Sequence, residues 1–588
     1  MESRESSGTK QSLEKQRTEM DSDNKTKDNC KSNGKSGRND SHINIFLLIC
    51  ILGVTLAITL EIMNVHSRNL KLQNKKSRRS YWVYSTYQDV ENENGLLKHV
   101  HLVLNRIGYE KSTNNSAWSL LWSHDYPFRS LYPQMSRLKP HQKVNHFPGT
   151  GFITNKVDLA TSQSKFIPKA FKLPKNKKEF LEYAADNKNA LFLEKHNQHR
   201  GVYLKNVSEI DASSGERFVQ EYVQKPFLVD GHKFDIGVYV ALTSVNPLRA
   251  YWYKGDVLFR YCPAKYYPFD PKNLDKYVVG DDYLPTWKVP SLAHPYTALG
   301  FSMKDAFDTY ARSKGKNTTR MWEQVQEAIS EVFIKKENHI IEALKNYPSS
   351  DNFFEMMRFD LVVDEELRVY LLEANMSPNL SSAHFAPNQL LYEQVLYNLF
   401  SLTGVASHIQ DETPSEAIQN MVSSQKNIAV WSDECRTTCN DNCDTSLVCA
   451  LCKTCLDVTL KNNFLNAHRE FLHKGDFRRL FPPAMVSRMS ILFINIQRLP
   501  PRRTWRHSFV RCSEGCTSNR DYYSKYVCQV GAKCRLAERE HYRELLGAGF
   551  LVLSTLTEED YIKQLNMRNQ LQYLWYQGKC NLDVTWCT

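Results

Sequence analysis

The stretch Arg358-Phe-Asp-Leu-Val-Val-Asp-Glu-Glu-Leu-Arg-Val-Tyr-Leu-Leu-Glu-Ala-Asn375 reads as two apolar strands joined by a charged turn, with three oxygen-bearing side chains among residues suited to a core. A two-residue turn at Glu365-Glu366 sets Asp360 opposite Leu371, and alternation then puts Asp360, Glu373 and Asn375 on one face. Two carboxylates and an amide carbonyl are hard oxygen donors. They suit Mg2+, which prefers octahedral oxygen coordination and keeps waters and nucleotide phosphates among its ligands. A charged hairpin on the surface is the competing interpretation. The following Met-Ser-Pro378 ends the strand in polar residues and a proline stop.

Around this hairpin lies a chain of 588 residues, 41% hydrophobic and 12% aromatic, enough for three or four domains. Residues 1–40 are rich in Ser, Lys, Asp, Asn and Glu and nearly devoid of apolar side chains, which predicts a disordered polar tail. Residues 41–62 follow with no charge before Glu61. Ile43 to Leu60 is apolar over about the length that spans a bilayer, so a single-pass membrane helix is predicted. Lys25, Lys27, Lys31, Lys35 and Arg38 precede it, and Arg68, Lys71, Lys75, Lys76, Arg78 and Arg79 follow. The positive-inside rule therefore leans only slightly toward a cytosolic body. Residues 63–90 read as a basic stem. The net charge of +12 favours an acidic protein or an anionic membrane as partner. No nucleic-acid-binding signature is present, so no nucleic-acid partner is expected.

Twelve of the fifteen cysteines lie from Cys435 onward, a dense, even set that predicts a Cys-rich region over 434–588 after a polar linker at 411–433. Disulfides in an oxidising lumen fit such a set; zinc in a reducing cytosol fits the Cys449-x2-Cys452 spacing. Cysteine content thus points to the lumen, and the side of the membrane stays open.

Between stem and linker, Lys178 to Ala185 has helical spacing, and Ala190 to Lys195 reads as a strand entering a basic loop, Lys195-His-Asn-Gln-His-Arg200-Gly201. Such a loop can fold over phosphates, with a basic hairpin as the plain alternative. Gly149 and Gly151 read as a turn after Pro148, with a phosphate cradle as the alternative. Lys233 and Asp235 share a face at the start of an apolar strand, and Met321 to Leu344 has the pattern of one long helix.

Seven motifs now stand in order: Asn145-His-Phe-Pro-Gly149, Phe166-x-Pro168 with Phe171-x-Leu-Pro174, Gln220-x-Tyr-Val223, Asp230-Gly-x-Lys-Phe-Asp235, Pro247-Leu-Arg249, Phe359-Asp360 and Leu372-Glu-x-Asn-x-Ser-Pro378. In these the chain resembles the tubulin tyrosine ligase-like family of ATP-grasp ligases, and in its membrane anchor the anchored polyglutamylase-like members. The resemblance implies an α/β (α+β) fold over 91–410, two α/β subdomains enclosing ATP. It also implies ATP- and Mg2+-dependent addition of a free amino acid, glutamate above all, to a carboxylate of tubulin or another acidic protein through an acyl-phosphate. By the family pattern Lys195, Arg200 and Gly201 cover the phosphates, and Gln220, Glu221, Tyr222 and Val223 form the adenine edge. Lys233 and Asp235 face ATP and the reacting groups, Arg260 holds the carboxylate of the incoming amino acid, and Asp360, Glu373 and Asn375 carry the metal.

Three departures accompany the match. Gly237 stands where the family's Lys-Phe-Asp-Leu-Arg has its arginine, the phosphate loop lacks its second glycine, and Tyr277-Val-Val-Gly-Asp-Asp-Tyr283 replaces His-Leu-Thr-Asn. They keep open an anchored pseudo-ligase that binds ATP or acidic tails without turnover; a third, unrelated alternative is a luminal factor whose Cys-rich C-terminal region carries the function.

Overall fold

The computed structural model describes residues 40–76, 79–87, 92–114, 117–195, 202–213, 217–407, 415–440, 442–485 and 558–588. Two units result, Met1–Lys76 and Ser77–Thr588. The described part of the first is one helix, Asp40–Lys76. Leu48–Arg68 within it, with mean hydropathy 2.2, is long and apolar enough to cross a membrane by length and composition. The helix runs on past residue 62, so much of the expected stem is helical.

Folding of the second unit starts earlier than residue 91. Strand β1 (Ser80–Tyr84) lies in a parallel sheet of order β2-β1-β3-β4 with β2 (Glu110–Lys111), β3 (Leu120–Ser123) and β4 (Lys143–Val144). Its apolar runs Tyr81-Trp-Val83 and Leu120-Leu-Trp122 are buried, as parallel strands require. A second, antiparallel sheet of order β5-β8-β6-β7 is built from β5 (Ala170–Leu173), β6 (Leu191–Lys195), β7 (Val202–Asn206) and β8 (Arg217–Glu221). Helix Lys177–Asp186 covers it, setting Phe180 among Phe171, Phe192 and Val219.

The third sheet carries the chemistry. Its spine is β9 (Phe234–Val245), paired along one edge with β10 (Leu248–Tyr253) and β11 (Leu258–Tyr261) and along the other with β13 (Glu355–Val363). At the margins β12 (Leu284–Pro285) joins β11, β14 (Val369–Asn375) joins β13, and β15 (Phe477–Phe481) joins β10. Helix Thr318–Leu344 buries Trp322, Val325, Ile329, Phe333 and Ile340, a helical repeat that makes one continuous contact face. Gly149 turns against this helix at φ +88, where a Cβ would stand 2.9 Å from the Ile340 Cα. The Asn145-His-Phe-Pro-Gly149 segment is thus a packing turn. His146 and Phe147 anchor it to the buried Glu355 carboxylate, at 2.7 and 2.8 Å.

The β13–β14 register differs from the expected one. The turn spans Asp364 to Arg368, with Leu367 at φ +60, and a bulge between Asp360 and Leu361 then sets Asp360 opposite Glu373, not Leu371. The wider turn shifts the register by one residue and the bulge by a second, so the same residues still share a face.

The described parts of the segment expected as a polar linker and a separate Cys-rich domain, 415–440, 442–485 and 558–588, belong to this body. Helix Ser415–Val422 is followed by buried Ile428, Val430 and Trp431, and the Trp575 indole donates to the Ile428 carbonyl at 2.8 Å. Beyond it, β15 extends the main sheet, and Phe464 stacks on Trp575 with ring centroids 4.8 Å apart. The cysteines pair as Cys435–Cys452, Cys439–Cys449, Cys443–Cys455 and Cys580–Cys587. Cys512, Cys516, Cys528 and Cys534 lie outside the described residues.

Candidate functional site

Four neighbouring strands, β11, β9, β13 and β14, bring their polar residues to one face. Register pairs Arg260 with Asp235, Asp360 with Gly237, and Asp360 with Glu373; one step further, Arg358 pairs with Asn375. Cross-strand partners point the same way, so residues scattered over 140 positions of sequence form one patch.

Its centre is Asp360, 2% exposed. One Asp360 oxygen accepts from Arg260 at 3.0 Å, from Asn375 at 3.0 Å and from Arg358 Nη2 at 2.8 Å; the other accepts from Arg358 Nε at 2.6 Å. Arg260 also grips Asp235 with two donors, Nε at 2.9 Å and Nη2 at 2.7 Å. The guanidinium expected to hold a substrate carboxylate is here occupied by protein carboxylates. Burial pushes the Asp235 pKa up, against the pull of Arg260. Glu373 meets Lys156 at 3.2 Å and the Asn375 amide at 3.3 Å. Burial works to raise the Glu373 pKa, but the Lys156 ammonium and the hydrogen bonds of Asn375 and Asp360 bring it down to about 2.

The donor set suits a hard divalent cation. Asn375 uses its Nδ2 on Asp360 and Glu373, which draws three oxygen-bearing side chains within hydrogen-bond distance and leaves Oδ1 as an acceptor. Glu373 is thereby held ionised, the form in which a carboxylate can serve as a cation ligand. Arg358 and Lys156 were not singled out from sequence. Arg358 sits two residues before Asp360, where alternation alone assigns it the same face; the five-residue helix Lys156–Ala160 carries no signal pointing at residue 373.

Lys233 immediately precedes β9 and is buried with Asp235 nearby; its Nζ donates to the Tyr277 carbonyl at 2.8 Å and lies 5.6 Å from the Tyr222 ring centroid. Burial lowers the Lys233 pKa, opposed by Cys262 and Asp235. Tyr222 stacks with Phe269 at 6.3 Å and reaches the Tyr266 hydroxyl at 3.2 Å. Tyr277, the first residue of the segment that departs from His-Leu-Thr-Asn, packs against Tyr222 with ring centroids 5.8 Å apart. Within that segment Asp281 is exposed and Tyr283 buried, its hydroxyl accepting from Asn388 at 2.8 Å. Gln220 is buried between β5 and β6, Glu221 accepts from the Tyr183 hydroxyl at 2.8 Å, and Val223 is half-buried. Lys195 ends β6, while Arg200 and Gly201 lie outside the described residues.

The sequence of this chain is similar to those of known proteins. The profile of the Tubulin-tyrosine ligase family matches residues 134–414. The probable tubulin polyglutamylase ttll-15 of Caenorhabditis elegans is 42% identical over 402 residues, covering 66% of this chain and 78% of that protein. Tubulin polyglutamylase TTLL6 of Mus musculus is 28% identical over 353 residues, 56% of this chain and 41% of the relative. Tubulin monoglutamylase TTLL4 of Homo sapiens is 26% identical over 430 residues, 66% and 35% respectively. The matched region runs from the packing turn through the Asp360 face to the helix Asn388–Leu402, and the long, high-identity match to the nematode protein takes it well beyond the motifs: this chain belongs to the tubulin-tyrosine ligase family.

Proposed function

We propose that this chain is an ATP- and Mg2+-dependent ligase that adds glutamate to a carboxylate of an acidic acceptor protein. The observation that carries the proposal is the convergence of Asp360, Glu373 and Asn375 beside Asp235 and Arg260 in a chain 42% identical to a probable tubulin polyglutamylase. When bound, ATP would supply an activated phosphoryl group and Mg2+ would offset its negative charge. The protein's part is to hold oxygen ligands in place and to present cations at the transferring phosphate. Asp360, Glu373 and Asn375 serve as the ligands, with Lys233 and Arg260 as the cations. Arg260 has Asp235 and Asp360 as partners, so charge at the site is balanced before nucleotide arrives. Binding of a polyanion with its cation exchanges these internal ion pairs for external ones. Attack of the acceptor carboxylate on the γ-phosphate releases ADP and gives an acyl-phosphate, from which the glutamate amine displaces inorganic phosphate, losing a proton, to form the amide.

The test is ATP-dependent incorporation of labelled glutamate into an acidic acceptor, with Glu373→Gln and Asp360→Asn as controls. Incorporation lost in both controls supports the ligase. Tight Mg2+-ATP binding with no incorporation into any acceptor supports the pseudo-ligase instead.

A specific observation bears on the acceptor. Eight cysteines of the body are paired in disulfides, which persist in oxidising compartments. They favour a luminal body, with tubulin replaced as acceptor by another acidic protein.

A further inference from the structure

Gly237 lies in the middle of β9, opposite Asp360 on one side and Leu258 on the other, in extended backbone that any residue adopts. Backbone conformation therefore does not demand glycine there. Space does. A Cβ at 237 would stand 2.8 Å from Cδ of Arg358, 3.2 Å from its Nε and 3.4 Å from its Cγ. The Arg358 side chain leaves β13 opposite Tyr239 and turns along the sheet to cover Gly237, the diagonal reach open to a long side chain on an antiparallel pair. Any side chain at 237 and the stem of Arg358 compete for the same volume.

Position 237 is where the family pattern puts an arginine. Arg358 is not an ordinary core residue: its side chain is 8% exposed and its guanidinium meets Asp360 with two donors, at 2.6 and 2.8 Å. Burying an ion pair without a task is commonly no more favourable than burying an apolar residue of similar volume. From the exclusion at Gly237, the shared face and the fork on Asp360, we infer that Arg358 supplies from β13 the guanidinium that β9 lacks. It positions Asp360 for the metal and presents the positive charge that position 237 would otherwise bring to the phosphates. The departure at Gly237 is then a relocation of charge between neighbouring strands. This rests on the ligase reading above.

The test measures Mg2+-ATP binding to the full-length protein by calorimetry, and the rise in melting temperature with ATP at several Mg2+ concentrations. Arg358→Ala is expected to weaken Mg2+-ATP binding about 10- to 100-fold and to raise the Mg2+ needed for half of the thermal shift, the usual consequence of losing a partner that orients a metal ligand. Arg358→Lys keeps the charge and most of the stem, so it folds even where alanine does not; it loses the fork and also weakens binding. The double variant Gly237→Arg with Arg358→Gly returns a guanidinium from the other strand and is expected to bind Mg2+-ATP more tightly than Arg358→Gly alone. Wild-type binding by Arg358→Ala or Arg358→Lys overturns the assignment and leaves the ligase reading intact, as does a double variant no better than Arg358→Gly. A wild-type protein that binds no Mg2+-ATP overturns both.

Discussion

Asp360 takes hydrogen bonds from three side chains, and two of those are guanidinium groups with little water around them. Removing its carboxylate strands Arg358 and leaves Arg260 with Asp235 alone. Asp360→Ala is therefore expected to destabilise the body by about 3–5 kcal/mol, read as a lowered denaturation midpoint with no nucleotide present. Glu373 is more exposed and faces one lysine and one amide, so Glu373→Gln is expected to leave the melting temperature near wild type while abolishing Mg2+ dependence. Of the two variants, Glu373→Gln tests chemistry and Asp360→Ala tests folding and chemistry together. A second residue-level effect concerns pH. His101 is buried beneath β1 with Nδ1 against the Tyr81 hydroxyl at 2.8 Å, and burial lowers its pKa to about 4. A depressed base stays neutral in the fold while the unfolded chain takes up its proton, so stability is lost as pH falls from about 6.5 toward about 4. The expected loss is on the order of 2–3 kcal/mol, and His101→Leu should flatten that part of the stability–pH curve. An equal slope in variant and wild type would refute the assignment.

At the level of elements, β10 and the helix Val458–His473 are joined by the buried pair Arg249–Glu470, at 2.8 and 3.1 Å. Glu470 also accepts from the Tyr251 and Thr243 hydroxyls, at 2.8 and 3.0 Å. Arg249 belongs to the family motif Pro247-Leu-Arg249, yet its carboxylate partner lies in the Cys-rich segment. Glu470→Ala is expected to cost about 3–5 kcal/mol, and deletion of 434–588 should yield an insoluble body, because β10 loses β15 and gains an open edge. A soluble, folded truncation that binds nucleotide would show the segment to be dispensable. These elements also mark how far the sequence could be read. Alternation in 358–375 set Asp360, Glu373 and Asn375 on one face, and helical spacing located Thr318–Leu344 to within three residues. The Asp360–Glu373 pairing was hidden, because Leu371 and Leu372 are equally apolar and nothing in the pattern announces which is bulged. Contacts such as Arg358 over Gly237, Lys156 on Glu373 and Glu470 on Arg249 join residues more than 100 positions apart and leave no local periodicity. The integration of the Cys-rich segment was obscured by its own composition, since dense cysteines suggest a self-contained disulfide domain, whereas β15 and Trp575 need the main core for their burial.

At the scale of the whole molecule, compartment decides which acceptor is reachable. Within about 20 residues of the apolar stretch five basic residues precede it and six follow, a difference too small to orient it by charge alone. Thiol chemistry bears on the same question. Among the described residues, every cysteine from Cys435 onward is paired, while the two free ones are Cys50 in the apolar helix and Cys262, buried beside Lys233. Three of the bridges cross-link residues 435 to 455, each closing a loop of 10 to 17 residues, and a loop of about 15 residues stabilises a fold by roughly 3 kcal/mol through restriction of the unfolded chain. In a reducing cytosol that contribution is lost. With the body in the lumen, protease added to intact membrane vesicles is expected to spare residues 77–588 until detergent is present. Maleimide added to the denatured, unreduced protein should leave the eight paired cysteines unmodified and label them only after reduction. Digestion of the body in intact vesicles together with labelling before reduction would place it in the cytosol, where tubulin is the acceptor the family relationship favours and where stability must come from the β15 junction and the aromatic packing around Trp575 without help from the bridges.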